Sequence, residues 1–261
     1  LLFIAIFTFS CKYNISSPVG TIKDYSANSG KLFYTSSDSS ADDIETTLKK
    51  NKHSLGIYKI VVSGGDSTAI LTNIKKVSDK NPSFDNVEID LSLTKITNIP
   101  KEMFTNTTNL GKITLPDTVT NIEESAFSGC SSLSYIRFSG GLTNIGTNAF
   151  SNCSALTVLL LPDGLKTIEK CAFSDCSSLV NLFLPKSLTK IDDDAFKNCS
   201  QLKNLEYLGT DTNVSGSPFK NGSSISNLYL PNVDTSKTND FNTKCFLGKN
   251  NWKITKGHIP S

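Results

Sequence analysis

Histidine is nearly missing from this sequence: only His53 and His258 occur, towards opposite ends. A zinc site needs clustered Cys and His, and the closest cysteine pair, Cys171 and Cys176, has no histidine near it in sequence, so no metal is expected. A nucleophile needs a base beside it. His53 adjoins Ser54, but a surface histidine accounts for it. Phosphate-binding loops and dinucleotide fingerprints are lacking too. No cofactor is expected, and no motif supports an enzyme. Charged residues make up only 19% of the chain, with a net charge of +2, so nothing draws it strongly to nucleic acid or to acidic membranes. There is one tryptophan and no aromatic-basic interleaving of the RNA-binding kind. The acidic run Asp192–Asp194 lacks the spacing and glycine of a calcium loop and reads as a solvated turn.

Long apolar runs are lacking as well. The first eleven residues, LLFIAIFTFSC, are apolar but shorter than the roughly 20 residues that span a bilayer. They have the length of a signal-peptide core, without the initiating Met and basic segment that precede one. A small residue before Cys11 resembles a bacterial lipoprotein signal, in which the Cys is lipidated and becomes the mature N-terminus. Thr8 stands where that signal carries Leu. Residues 1–11 are therefore expected to be a partial signal peptide with lipidation at Cys11, and plain secretion is the alternative. Residues 12–40, rich in Ser, Asn and Gly, read as a flexible tether.

What is abundant is repetition. AFSNCSALTVLLLP (149–162) is followed by AFSDCSSLVNLFLP (172–185). Phe104, Phe127, Phe150, Phe173, Phe196 and Phe219 recur every 23 residues. Five places before them stand Ile99, Ile122, Ile145, Ile168, Ile191 and Val214. Six places after come Leu110, Leu133, Leu156, Leu179, Leu202 and Ile225. The +9 column is Ile113, Ile136, Leu159, Leu182, Leu205 and Leu228, and the +11 column is Leu115, Phe138, Leu161, Leu184, Tyr207 and Leu230. A fixed period in this range with spaced leucines marks a leucine-rich repeat solenoid. Positions +9 and +11 point inward, alternating with +8 and +10, so each repeat carries a strand of one parallel sheet. Every buried Leu, Ile or Phe contributes about 1.5–3 kcal/mol against ordering entropy, and only stacking buries that surface. The expected fold is a leucine-rich repeat solenoid of 23-residue repeats over 87–240. A small α/β N-terminal cap is read over 41–86, from helix, strand, helix and strand patterns, with a C-terminal cap over 241–261 closed by Trp252.

The line NIEESAFSGCSSLSYIRF and its copies resemble the BspA-type, or treponemal-type, leucine-rich repeat, L-x-x-I-x-x-x-A-F-x-x-C-x-x-L-x-x-I-x-L-P. The resemblance covers about Val87 to Pro231. It implies a surface-exposed bacterial protein, lipid-anchored at the cell surface or outer membrane, of a kind linked to attachment to host matrix proteins or other cells. The expected partner is an extracellular protein, with no nucleic acid and no membrane contact beyond an anchor at Cys11. The chain is expected to be a monomer. A non-adhesive structural or antigenic coat is the alternative.

If a partner binds, the outward strand positions are where it would dock. Most should be polar, yet Tyr135, Arg137, Val158, Leu160, Phe183 and Tyr229 occupy them. Clustered aromatic, apolar and Arg residues mark interfaces; β-propensity is the competing account. Cys130, Cys153, Cys176 and Cys199 share the +3 column, where Thr107 stands in the first copy. Their Cβ atoms would stay about 4.8 Å apart, longer than a disulfide prefers, so free thiols are expected. Cys171 and Cys245 fall outside the column, as stray thiols or pairing partners.

Overall fold

The computed structural model describes residues 32–65, 68–210, 212–219, 225–249 and 251–260. Cys11 and most of the expected tether lie outside them.

The chain opens with β1 (Tyr34–Ser36), α1 (Ala41–Leu55), β2 (Lys59–Gly64), α2 (Ala69–Lys80) and β3 (Val87–Thr94). Ser40 caps α1: its hydroxyl accepts from the Asp43 amide while Asp43 accepts from the Ser40 amide, so two orphan donors are satisfied reciprocally. Gly56, at φ +75°, ends it. β1 and the Ser40 cap lie within the range read from sequence as tether, so residues 34–40 belong to this folded unit instead. Strand β1 pairs in parallel with β2, and the buried Asn51 side chain bonds both backbone groups of Phe33 and the carbonyl of Lys59. Three residues are too few to show an alternating pattern.

Strands then come in two kinds: β4 (Asn98–Ile99), β5 (Leu110–Thr114), β6 (Asn121–Ile122), β7 (Tyr135–Arg137), β8 (Asn144–Ile145), β9 (Val158–Leu160), β10 (Thr167–Ile168), β11 (Asn181–Leu184), β12 (Lys190–Ile191), β13 (Asn204–Tyr207), β14 (Asn227–Tyr229) and β15 (Lys253–Thr255). The two-residue strands form one parallel wall, β4-β6-β8-β10-β12. The longer ones form the opposite wall as two parallel sheets, β1-β2-β3-β5-β7 and β9-β11-β13-β14-β15. The N-terminal unit thus shares its sheet with the first repeats and covers their open end.

Between the walls lies the core. Phe104, Phe127, Phe150, Phe173 and Phe196 are fully buried, with Phe219 at the end of the row. Adjacent rings stack at centroid distances of 5.3, 5.0, 5.1, 5.3 and 5.6 Å. The alanines before Phe127, Phe150, Phe173 and Phe196 are buried too, and each carbonyl accepts the Phe amide of the preceding repeat, as from Phe127 to Ala149 at 2.7 Å. At the C-terminal end, β15 continues the sheet, with Leu228 opposite Ile254. Trp252 is buried, donates its indole N–H to the Phe246 carbonyl at 3.0 Å and meets the Phe219 ring edge-on.

Candidate protein-binding face

The strands of the long wall turn every second side chain outward, and their register sets those side chains in rows. Lys112, Tyr135 and Val158 belong to one row, Arg137, Leu160 and Phe183 to the next; the pairs Lys112–Tyr135, Val158–Asn181 and Leu160–Phe183 stand directly opposite each other. Tyr135, Val158 and Leu160 are 53%, 49% and 67% exposed. Arg137 is exposed and Phe183 and Tyr229 are half-buried. Arg137 lies 3.4 Å from Asp117, both in solvent, a pairing that holds its position with little energy.

The apolar residues coincide with a break in the wall. β7 ends one sheet and β9 begins the other, with no pairing between them. Ile136, inward on β7, is only half-buried, while its column mates Ile113 and Leu159 are buried. Tyr135, Ile136, Val158 and Leu160 thus offer apolar surface on both sides of one seam. Glu206, outward on β13, departs from expectation: it is buried, because the C-terminal segment lies over it.

The thiols of the +3 column have a defined job. Cys130, Cys153, Cys176 and Cys199 each donate S–H to a phenylalanine carbonyl one repeat earlier, at 3.1–3.3 Å. Burial pushes Cys130 and Cys199 up to about 12 and Cys153 and Cys176 well above the usual thiol range. They are structural groups, not nucleophiles. All six described cysteines are free. Cys171 falls outside the column because it fills a left-handed turn position, at φ +56°. Among the described residues, no cluster of three metal-ligating side chains occurs, and no helix is long and apolar enough to cross a membrane.

Two further sets of contacts go beyond what the leucine spacing predicts. Asn98, Asn121 and Asn144 pass side-chain amide hydrogen bonds along one wall, and Asn181, Asn204 and Asn227 do so along the other, at 2.8 Å. Each of the first five repeats also places two residues in the left-handed region. One set is Glu102, Ser125, Asn148, Cys171 and Asp194; the other is Asn106, Gly129, Asn152, Asp175 and Asn198. The second set is uniformly Asn, Asp or Gly, a turn signal readable from sequence. Asp194 in the first set accounts for the acidic run as a turn.

Stacked 23-residue rungs with a parallel wall and a one-residue-wide phenylalanine ridge define a leucine-rich repeat solenoid. The sequence profile of the BspA type Leucine rich repeat region matches in six copies, over residues 72–168, 97–226 and 154–261. The chain belongs to this family. Similar solved structures include the T. pallidum leucine-rich repeat protein, 24% identical over 67% of this chain and 70% of that one, with a TM-score of 0.46. A leucine-rich cell surface protein of Faecalibacterium prausnitzii is 30% identical over 49% of this chain and 34% of that one, with a TM-score of 0.47. The pneumococcal vaccine antigen PcpA is 18% identical over 65% of this chain and 42% of that one, with a TM-score of 0.47. No curated protein matches the sequence.

Proposed function

We propose that the chain is a non-enzymatic surface protein that binds an extracellular protein partner, a host matrix component or a protein of another cell, through the outward face of its long wall. Lipidation at Cys11 would tether it. The observation that carries this reading is the cluster of Tyr135, Val158 and Leu160, exposed together beside Arg137 at the seam between β7 and β9. Contiguous apolar surface exposed on a soluble domain carries a hydration penalty that a partner removes. Tyr and Arg are the side chains most often decisive at interface centres. Nothing in the core needs these residues outside: the strands pair through backbone, and the inward columns fill the interior.

The test is retention of proteins from serum and solubilised extracellular matrix on immobilised chain, parent beside a Tyr135→Ser, Leu160→Ser double variant. A protein held by the parent and lost by the variant, with unchanged circular dichroism, supports the face. Identical retention by both, or none by the parent, excludes it.

A further inference from the structure

Glu206 sits on the outward face of β13, directly between Phe183 of β11 and Tyr229 of β14. Leu160, two strands away in the same row, is open to solvent, yet Glu206 is 4% exposed. His258 and Ile259 cover it. β15 finishes at Thr255, opposite Tyr229. At Gly257 the backbone adopts φ +120°, a conformation that side-chain-bearing residues rarely take. The chain then reaches β13. There His258 Nδ1 lies 2.6 Å from Glu206 Oε1, and the Ile259 amide donates to Oε2 at 2.8 Å. Groups of two successive residues thus engage both oxygens of one buried carboxylate. A carboxylate removed from water is tolerated only with such partners, so Glu206 and the segment depend on each other. The His258 side chain is itself 72% exposed, so this grip sits at a rim from which it can let go.

We propose that Gly257–Pro260 is a strap that fills the outward face in cis at Glu206, and that a partner reaching β13 and β14 must displace it. The idea rests on the reading that this face binds a partner. It adds a chemical requirement: a displacing segment must bring to Glu206 a backbone N–H and a donor side chain, as His258 and Ile259 do. Tyr229 stands in register between Glu206 and Thr255, so strap and partner contend for this stretch of the row, while Tyr135, Val158 and Leu160 at the seam stay open. The strap therefore limits how far a partner extends along the wall, not whether it lands.

The full-length chain tests this by trypsin cleavage after Lys256, followed by mass spectrometry. Glu206→Gln weakens the carboxylate's grip at constant shape, and His258→Ala removes one contact from an exposed position that the solenoid does not need. Gly257→Val acts through the turn alone, since a Cβ there would meet nothing within 4 Å. Each variant should be cut several-fold faster than the parent, with the melting curve of the solenoid unchanged for His258→Ala. Parent-like rates in all three variants overturn the strap. This readout involves no partner, so its failure is separate from failure of the binding face. Competition is read in the serum and matrix retention assay: His258→Ala should retain several-fold more of whatever the parent retains. Equal retention by parent and variant overturns the competition.

Discussion

The rings of Phe150 and Phe173 lie 5.1 Å apart with 3° between their planes. The Phe150 amide donates to the carbonyl of Ala172, beside Phe173, at 2.7 Å. Ring stacking and a backbone hydrogen bond thus join the two repeats side by side. Removing a central ring empties space on both of its faces. Phe173→Ala is expected to cost about 3–5 kcal/mol. Because each rung touches only its neighbours, the melt followed by circular dichroism should broaden or split into two steps. A curve that overlays the parent would contradict the inward ridge.

Thr107 occupies the column that cysteine fills in the next four repeats, and its buried hydroxyl has no hydrogen-bond partner. An unsatisfied buried donor costs about 1–3 kcal/mol. Thr107→Val keeps the shape and removes the hydroxyl, so it should raise stability by about 1 kcal/mol in urea unfolding. A loss of stability would show that the hydroxyl is satisfied.

The four column thiols titrate high because they are buried. In the unfolded chain they ionise from about pH 8.5, whereas folded Cys130 and Cys199 hold their protons up to about 12. An acid whose pKa is raised by folding contributes stability fully below the unfolded value, and loses it as pH climbs toward the folded one. Each such thiol should therefore cost about 1.4 kcal/mol per pH unit across that window. Urea midpoints at pH 8 and pH 10 should fall more steeply for the parent than for a Cys153→Ala, Cys176→Ala variant. In native protein, a thiol reagent should modify exposed Cys245 quickly and half-buried Cys171 slowly, leaving the column untouched. Rapid labelling of Cys153 or Cys176 would contradict the burial.

Asn204 both donates to Asn181 and accepts from Asn227, at 2.8 Å each. Asn204→Ala breaks the ladder on both sides and should cost about 1–2 kcal/mol. Asn181→Ala, at the ladder's end, should cost about half as much. Equal small losses at both positions would show that water replaces the amides.

The sequence shows the interior because the interior repeats. A leucine, isoleucine or phenylalanine every 23 residues meets the same neighbours at every rung, so periodicity and burial report one thing. Strand parity then places Tyr135, Val158 and Leu160 outward without coordinates. The left-handed position two after each Phe was equally open to reading, since Asn106, Gly129, Asn152, Asp175 and Asn198 are all turn formers. The position two before was not: Glu102, Ser125, Asn148, Cys171 and Asp194 share a conformation but no chemistry. The break in pairing between β7 and β9 does not interrupt the 23-residue period, so the period does not reveal it. The contact of Glu206 with His258 spans 52 residues outside the period, and a relation made once cannot be found by looking for repeats.

Fold and binding face both depend on which side chains meet water, and hydroxyl-radical footprinting of the free protein measures that directly. Modification read by mass spectrometry should be heavy at Tyr135 and Leu160, intermediate at Phe183 and Tyr229, and absent from Phe127, Phe150 and Phe173. Labelled core phenylalanines beside protected Tyr135 and Leu160 would contradict the account.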